Sequence, residues 1–159
     1  MKLQHQIKLA FVLVIALLTT PQAIAQVDVE FNQEERHHIS TFLGGTDLLE
    51  TTETAFTLGL DYEYRVNRLL GAGAVLEHAF GDLNSTTFLV VADIHIWRGL
   101  VTQIGPGFEV TNGETHFAAR FGALYEFVFD ENLTVSPQIH YDISEENSLV
   151  FGLAFGLGF

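Results

Sequence analysis

Leu149-Val150-Phe151-Gly152-Leu153-Ala154-Phe155-Gly156-Leu157-Gly158-Phe159 closes the chain. On an extended backbone Leu149, Phe151, Leu153, Phe155, Leu157 and Phe159 share one face, and Val150, Gly152, Ala154, Gly156 and Gly158 share the other. Successive side chains of a strand point to opposite faces, so alternation kept up over this whole stretch predicts a strand. One face of that strand is bulky and apolar; the other is small.

The same phase recurs upstream. Phe56, Leu58, Leu60, Tyr62 and Tyr64 alternate with Thr57, Gly59, Asp61, Glu63 and Arg65, and Phe88, Val90, Ala92, Ile94 and Ile96 alternate around Asp93 and His95. Phe117, Ala119, Phe121, Ala123, Tyr125 and Phe127 alternate with His116, Arg120 and Glu126. Leu133, Val135, Ile139 and Tyr141 alternate with Thr134, Ser136, Gln138, His140 and Asp142. A run from about Leu100 to Val110 keeps Leu100, Ile104, Phe108 and Val110 on one side, with Gln103 and Glu109 on the other. Runs near Leu69 to Phe80 and His37 to Gly44 alternate less cleanly. Turn signals at Val66-Asn67-Arg68, Arg98-Gly99 and Asp130-Glu131-Asn132 fall at one end of the strands, and longer polar stretches are expected at the other.

The faces are inverted relative to a water-soluble barrel: the uncharged, often aromatic face is continuous, and the ionisable groups and glycines share the second face. Eight such strands predict an all-β fold, an eight-stranded antiparallel up-and-down transmembrane β-barrel with lipid outside and a polar lumen. Tyr62, Tyr64, Trp97, Tyr125, Phe127 and Phe159 are expected at one rim, with Phe56, Phe80, Phe88, Phe108, Phe117, Tyr141 and Phe151 toward the other. A strict pleat would turn Trp97 inward. Gly105-Pro106-Gly107 suggests a bulge, and Pro137 has no evident place in a closed ladder.

The N-terminus is of another kind. Lys2 and Lys8 precede the apolar run Leu9 to Leu18, which is followed by Pro21 and Ala23-Ile24-Ala25. That pattern reads as a secretory signal peptide over 1–25, too short to span the bilayer as a helix. A short periplasmic segment, 26–35, and the barrel, 36–159, would follow. All 20 acidic residues lie after position 25, where the only bases besides histidine are Arg36, Arg65, Arg68, Arg98 and Arg120. So acidic a chain repels phosphate backbones, which argues against nucleic acid as a partner. Without cysteine, an exported domain must be held by something other than disulfides, and a closed hydrogen-bonded barrel suffices.

Several stretches carry a resemblance: Phe42-Leu43-Gly44-Gly45, Leu58 to Arg65, Gly105 to Glu109, Arg120 to Phe127 and Val150-Phe151-Gly152. In these the chain resembles small bacterial outer-membrane β-barrel proteins of uncharacterised role and, more distantly, the eight-stranded OmpA and OmpX class. The resemblance implies fold and outer-membrane location. Phe159 on an alternating last strand looks like the signal read by the barrel assembly machinery. The outer loops are shorter than in that class, which argues against adhesion. Expected partners are outer-membrane lipid and the assembly machinery, and the expected state is a monomer.

Catalysis and metal binding are weaker readings. Lipid A-deacylating barrels use a His-x-Ser pair, but here His140 is followed two residues on by Asp142, and His38-Ile39-Ser40 lies on the least regular strand. His116, His140, Glu109 and Asp142 form a conceivable zinc set, with a hydrogen-bonded lattice as the favoured alternative. No cofactor is implied. The expected interior cluster is Asp61, Glu63, Arg65, Glu77, Asp93, His95, Glu109, His116, Arg120, Glu126, His140 and Asp142, in which Arg120 is expected to meet Glu109 and Asp142. The inward Gly59, Asp93 and Gly122 are expected to accept a modest polar replacement. A structural or membrane-integrity role comes first, a narrow cation-preferring channel second and a lipid A-modifying enzyme third.

Overall fold

The computed structural model describes residues 36–51, 53–129 and 132–159. The signal-peptide reading and the segment before residue 36 lie outside the described residues. The strands are β1 (His37–Leu48), β2 (Thr54–Arg65), β3 (Leu70–Ala79), β4 (Ser85–Trp97), β5 (Leu100–Thr111), β6 (Glu114–Tyr125, continued by Phe127–Val128), β7 (Leu133–Ile143) and β8 (Ser148–Gly158). Each pairs antiparallel with the next, and β8 pairs with β1, which closes the barrel. Register partners followed once round run from His37 through Tyr64, Ala72, Ala92, Ile104, Phe121, Tyr141 and Leu149 to Asp47, ten residues further along β1. A stagger of that size tilts eight strands by roughly 40–45°. Strands of about twelve residues at ~3.3 Å per residue then rise roughly 28 Å, enough for an apolar band about 25 Å tall.

Side chains that a soluble protein would bury are exposed on the outer surface all round the barrel. Leu60 is 47% exposed, Phe121 62% and Leu153 44%, while their inward neighbours Gly59, Arg120 and Ala154 are buried. Such a belt is stable in lipid. The aromatic residues cluster toward its rims: Phe56 with Phe80 and Phe88 with Phe108 at one end, His37 with Tyr62, Tyr64 and Phe159 at the other. Replacing Leu60 or Phe121 with Arg should therefore block insertion, since a cation near mid-bilayer on the outer face costs about 2–4 kcal/mol. The check is the fraction refolded into lipid vesicles; yields equal to wild type would mean this surface does not face hydrocarbon.

Both prolines find their places. Pro106 points outward with no register shift across it, and the β4–β5 ladder lapses opposite it, at Val90 and Val91. The expected bulge at Gly105-Pro106-Gly107 is therefore corrected: the shift lies between His95 and Trp97, and Trp97 ends up 64% exposed. Pro137 faces the break between Tyr125 and Phe127, while the β7–β8 ladder on its other side is continuous. Its missing donor thus falls on the interrupted side, and Glu126 instead donates its backbone N–H to Gly99, at 2.7 Å. β1 runs four residues past the expected Gly44, because Gly44 and Gly45 sit within the ladders to β2 and β8.

The expected contrast in loop length is also corrected. At the end away from the termini the connections are short, and that between β5 and β6 is only Asn112-Gly113, both at positive φ (54° and 84°), as a two-residue hairpin turn requires. Arg98-Gly99 makes the equivalent turn at the end that holds the termini.

Candidate functional site

Because the outer surface is apolar, the polar chemistry is inside. The inward phase of each strand carries polar residues in tiers up the lumen. Nearest the termini, Arg65 donates from Nη2 to Glu126 Oε2 at 2.7 Å, and His95 Nε2 lies 2.7 Å from Glu63 Oε1. His38 Nε2 shares a 2.9 Å hydrogen bond with Thr134 Oγ1. One tier further in, Gln103 Nε2 donates to both Asp61, at 3.1 Å, and Asp93, at 3.0 Å.

The central tier is built on Arg120, which is 3% exposed. Its Nε and Nη2 donate to the two oxygens of Asp142 at 2.7 and 2.6 Å, and Nη1 and Nη2 donate to those of Glu77 at 2.8 and 2.6 Å. Two fork-like carboxylate pairs on one guanidinium are the geometry for which arginine is preorganised. Asp142 is the register partner of Arg120 across β6 and β7. The expected contact with Glu109 is corrected: Glu109 pairs in register with His116, four residues along β6, and accepts a hydrogen bond from Ser85. Glu77 reaches Arg120 from β3 instead, across the lumen.

Phe42, 1% exposed, also points inward, and its ring occupies the space over two glycines. A Cβ on Gly44 would come within 2.4 Å of this ring, and one on Gly152 within 2.7 Å. Phe42, Leu89, Val91, Arg120 and His140, each no more than 3% exposed, lie along their strands between the linings of two cavities, as a septum of packed side chains. A cavity of about 20 Å³ lies on each side of it, one lined by Thr57, Glu77, Glu109 and Asp142, the other by His38, Asp61, Glu63 and Glu126. Each has room for about one water. Leu48, Ala55, Ala79 and Leu83 pack together at the mouth away from the termini.

Of the residues expected in one interior cluster, Glu63, Glu77, Asp93, Arg120, Glu126, His140 and Asp142 are buried, but they are distributed over several tiers. His116 sits near the mouth, 2.9 Å from Glu145 of the β7–β8 loop, and His140 Nε2 is 3.1 Å from Gln138 Oε1. The set His116, His140, Glu109 and Asp142 is not brought together, and Asp142 is already held by Arg120. Among the described residues the carboxylates and imidazoles that do converge are His38, Glu63 and Glu126. His38 and Phe42 went unassigned because the first strand alternates weakly; the signal was the shared phase of His38, Ser40 and Phe42. His38 and Ser40 face the lumen near the termini, and His38 bonds Thr134. Gly59 and Gly122 are not permissive: a Cβ would meet Glu77 Cγ at 2.7 Å in the first case and His140 Nδ1 at 2.2 Å in the second.

No protein-family model matches the sequence, and no curated protein matches it. Solved structures do match in fold. The N-terminal β-barrel domain of Pseudomonas aeruginosa OprF superposes with a TM-score of 0.58 at 15% identity, covering 77% of this chain and 97% of that one. Neisserial surface protein A gives 0.51 at 9% identity, covering 77% and 96%. Ail, the attachment invasion locus protein of Yersinia pestis, gives 0.51 at 13% identity, covering 77% and 95%. The fold is that of the small outer-membrane barrels.

Proposed function

We propose that this chain is a non-enzymatic barrel of a bacterial outer membrane, with its termini in the periplasm, and that it serves membrane integrity rather than transport or catalysis. One observation carries the reading: an apolar belt all round encloses a lumen filled with packed side chains, Phe42 and Arg120 among them at 1% and 3% exposed. A lumen so filled passes no solute, and connections of two to five residues between strands present little surface beyond the membrane. The likeness in fold to OprF, neisserial surface protein A and Ail supports the location. A continuous belt favours a monomer, and Phe159, whose backbone exchanges hydrogen bonds with His37 at the β1–β8 seam, is where the assembly machinery would engage. The lipid A reading loses support because the His38 and Ser40 side chains face the lumen, away from lipid.

The folded chain should run as a distinct band on a gel in cold detergent and shift on boiling, because a ladder with no free edge resists detergent. Identical migration, with the protein in the soluble periplasmic fraction, would overturn the assignment. Loss of the chain should make cells more permeable to large antibiotics. In planar bilayers the purified barrel should give no steady current; a steady cation-selective current would favour the channel reading, which draws on the excess of inward carboxylates.

A further inference from the structure

The geometry points to a binding site for one divalent transition-metal ion, of the zinc class, between His38, Glu63 and Glu126. One ligand atom from each of these residues, drawn from β1, β2 and the end of β6, lies within 4.8 Å of the others. An ion at about 2.0–2.2 Å from each ligand would hold them roughly 3.4 Å apart, so the three side chains must draw together to bind it.

Further features fit an ion. The cavity of about 20 Å³ on the terminus side is lined by all three ligands and has room for a water as fourth ligand. Each carboxylate is oriented through one oxygen: Glu63 Oε1 by His95 at 2.7 Å, Glu126 Oε2 by Arg65 at 2.7 Å. Glu63 Oε2 lies 3.6 Å from Arg65 Nε, a long ion pair that a metal ion would replace. Outer partners that hold ligands in this way are the usual support of a metal centre. His38 is seated by contact, since a Cβ on Gly156 would come within 2.3 Å of its Nε2, and its hydrogen bond to the Thr134 hydroxyl is a neutral one that an ion can replace. Charge adds to this: two of the carboxylates that line the cavity, Glu63 and Glu126, share the guanidinium of Arg65.

The test is zinc titration of the chain refolded in detergent micelles, in competition with a chromophoric chelator, after the heat-dependent gel shift has confirmed folding. One zinc per barrel is expected, with binding weakened about tenfold or more in His38→Gln and in Glu126→Gln and unchanged in His116→Ala. Zinc should also raise the temperature at which the folded band is lost in wild type but not in His38→Gln. No stoichiometric binding, or binding that survives His38→Gln and falls in His116→Ala, overturns the site. If His38→Gln does not fold, Glu126→Gln carries the same comparison, and unchanged affinity there is equally fatal.

Discussion

Arg120→Ala is expected to lower the stability of the folded barrel by about 3–5 kcal/mol, the usual cost of removing one partner from a buried ionic network. The guanidinium makes four hydrogen bonds to Glu77 and Asp142, all between 2.6 and 2.8 Å, and the alanine variant would leave both carboxylates buried without a cation. The loss is one of stranded charge more than of attraction, so it should be recoverable. Replacing all three residues together, Arg120→Met with Glu77→Gln and Asp142→Asn, removes the charge as well as the bonds and should restore most of the stability. Urea titration followed by Trp97 fluorescence and by the gel shift measures both. An Arg120→Ala barrel as stable as wild type, or a triple variant no better than the single one, would remove the network from its central place.

Phe42→Ala is expected to cost about 3–5 kcal/mol, the range for deleting a buried aromatic side chain. The surroundings cannot collapse into the space, because Gly44 and Gly152 beneath the ring have no side chains to move and their backbones are held in the β1–β8 ladder. The variant should also differ in kind from Arg120→Ala. Opening the septum joins the two cavities, so Phe42→Ala should produce brief current steps in planar bilayers where wild type gives none. A variant that loses no stability and stays silent would show that Phe42 neither braces nor seals the lumen.

The two variants probe features that differed in how far they could be read in advance. Arg120 was visible as a buried cation from its phase between Ala119 and Phe121, and Asp142 was reachable as a neighbour once β6 and β7 were paired. Glu77 was not, because its contact depends on the stagger of the whole barrel. Phe42 breaks the rule that read the other strands, being an aromatic residue on the inward phase. Its room comes from glycines on β1, β2 and β8, which no local window brings together.

The sequence by itself determined the strands, their two faces and the inversion of those faces. Alternation is a local property: each side chain's direction follows from its neighbour's, so eleven residues from Leu149 to Phe159 suffice to assign a face. Only the tertiary structure decided which inward residues meet. Contacts across the lumen depend on the ten-residue stagger that accumulates over eight registers, and a shift at any one of them displaces all that follow. That is why Glu77 rather than Glu109 binds Arg120, and why His38, Glu63 and Glu126 converge while His116, His140, Glu109 and Asp142 do not.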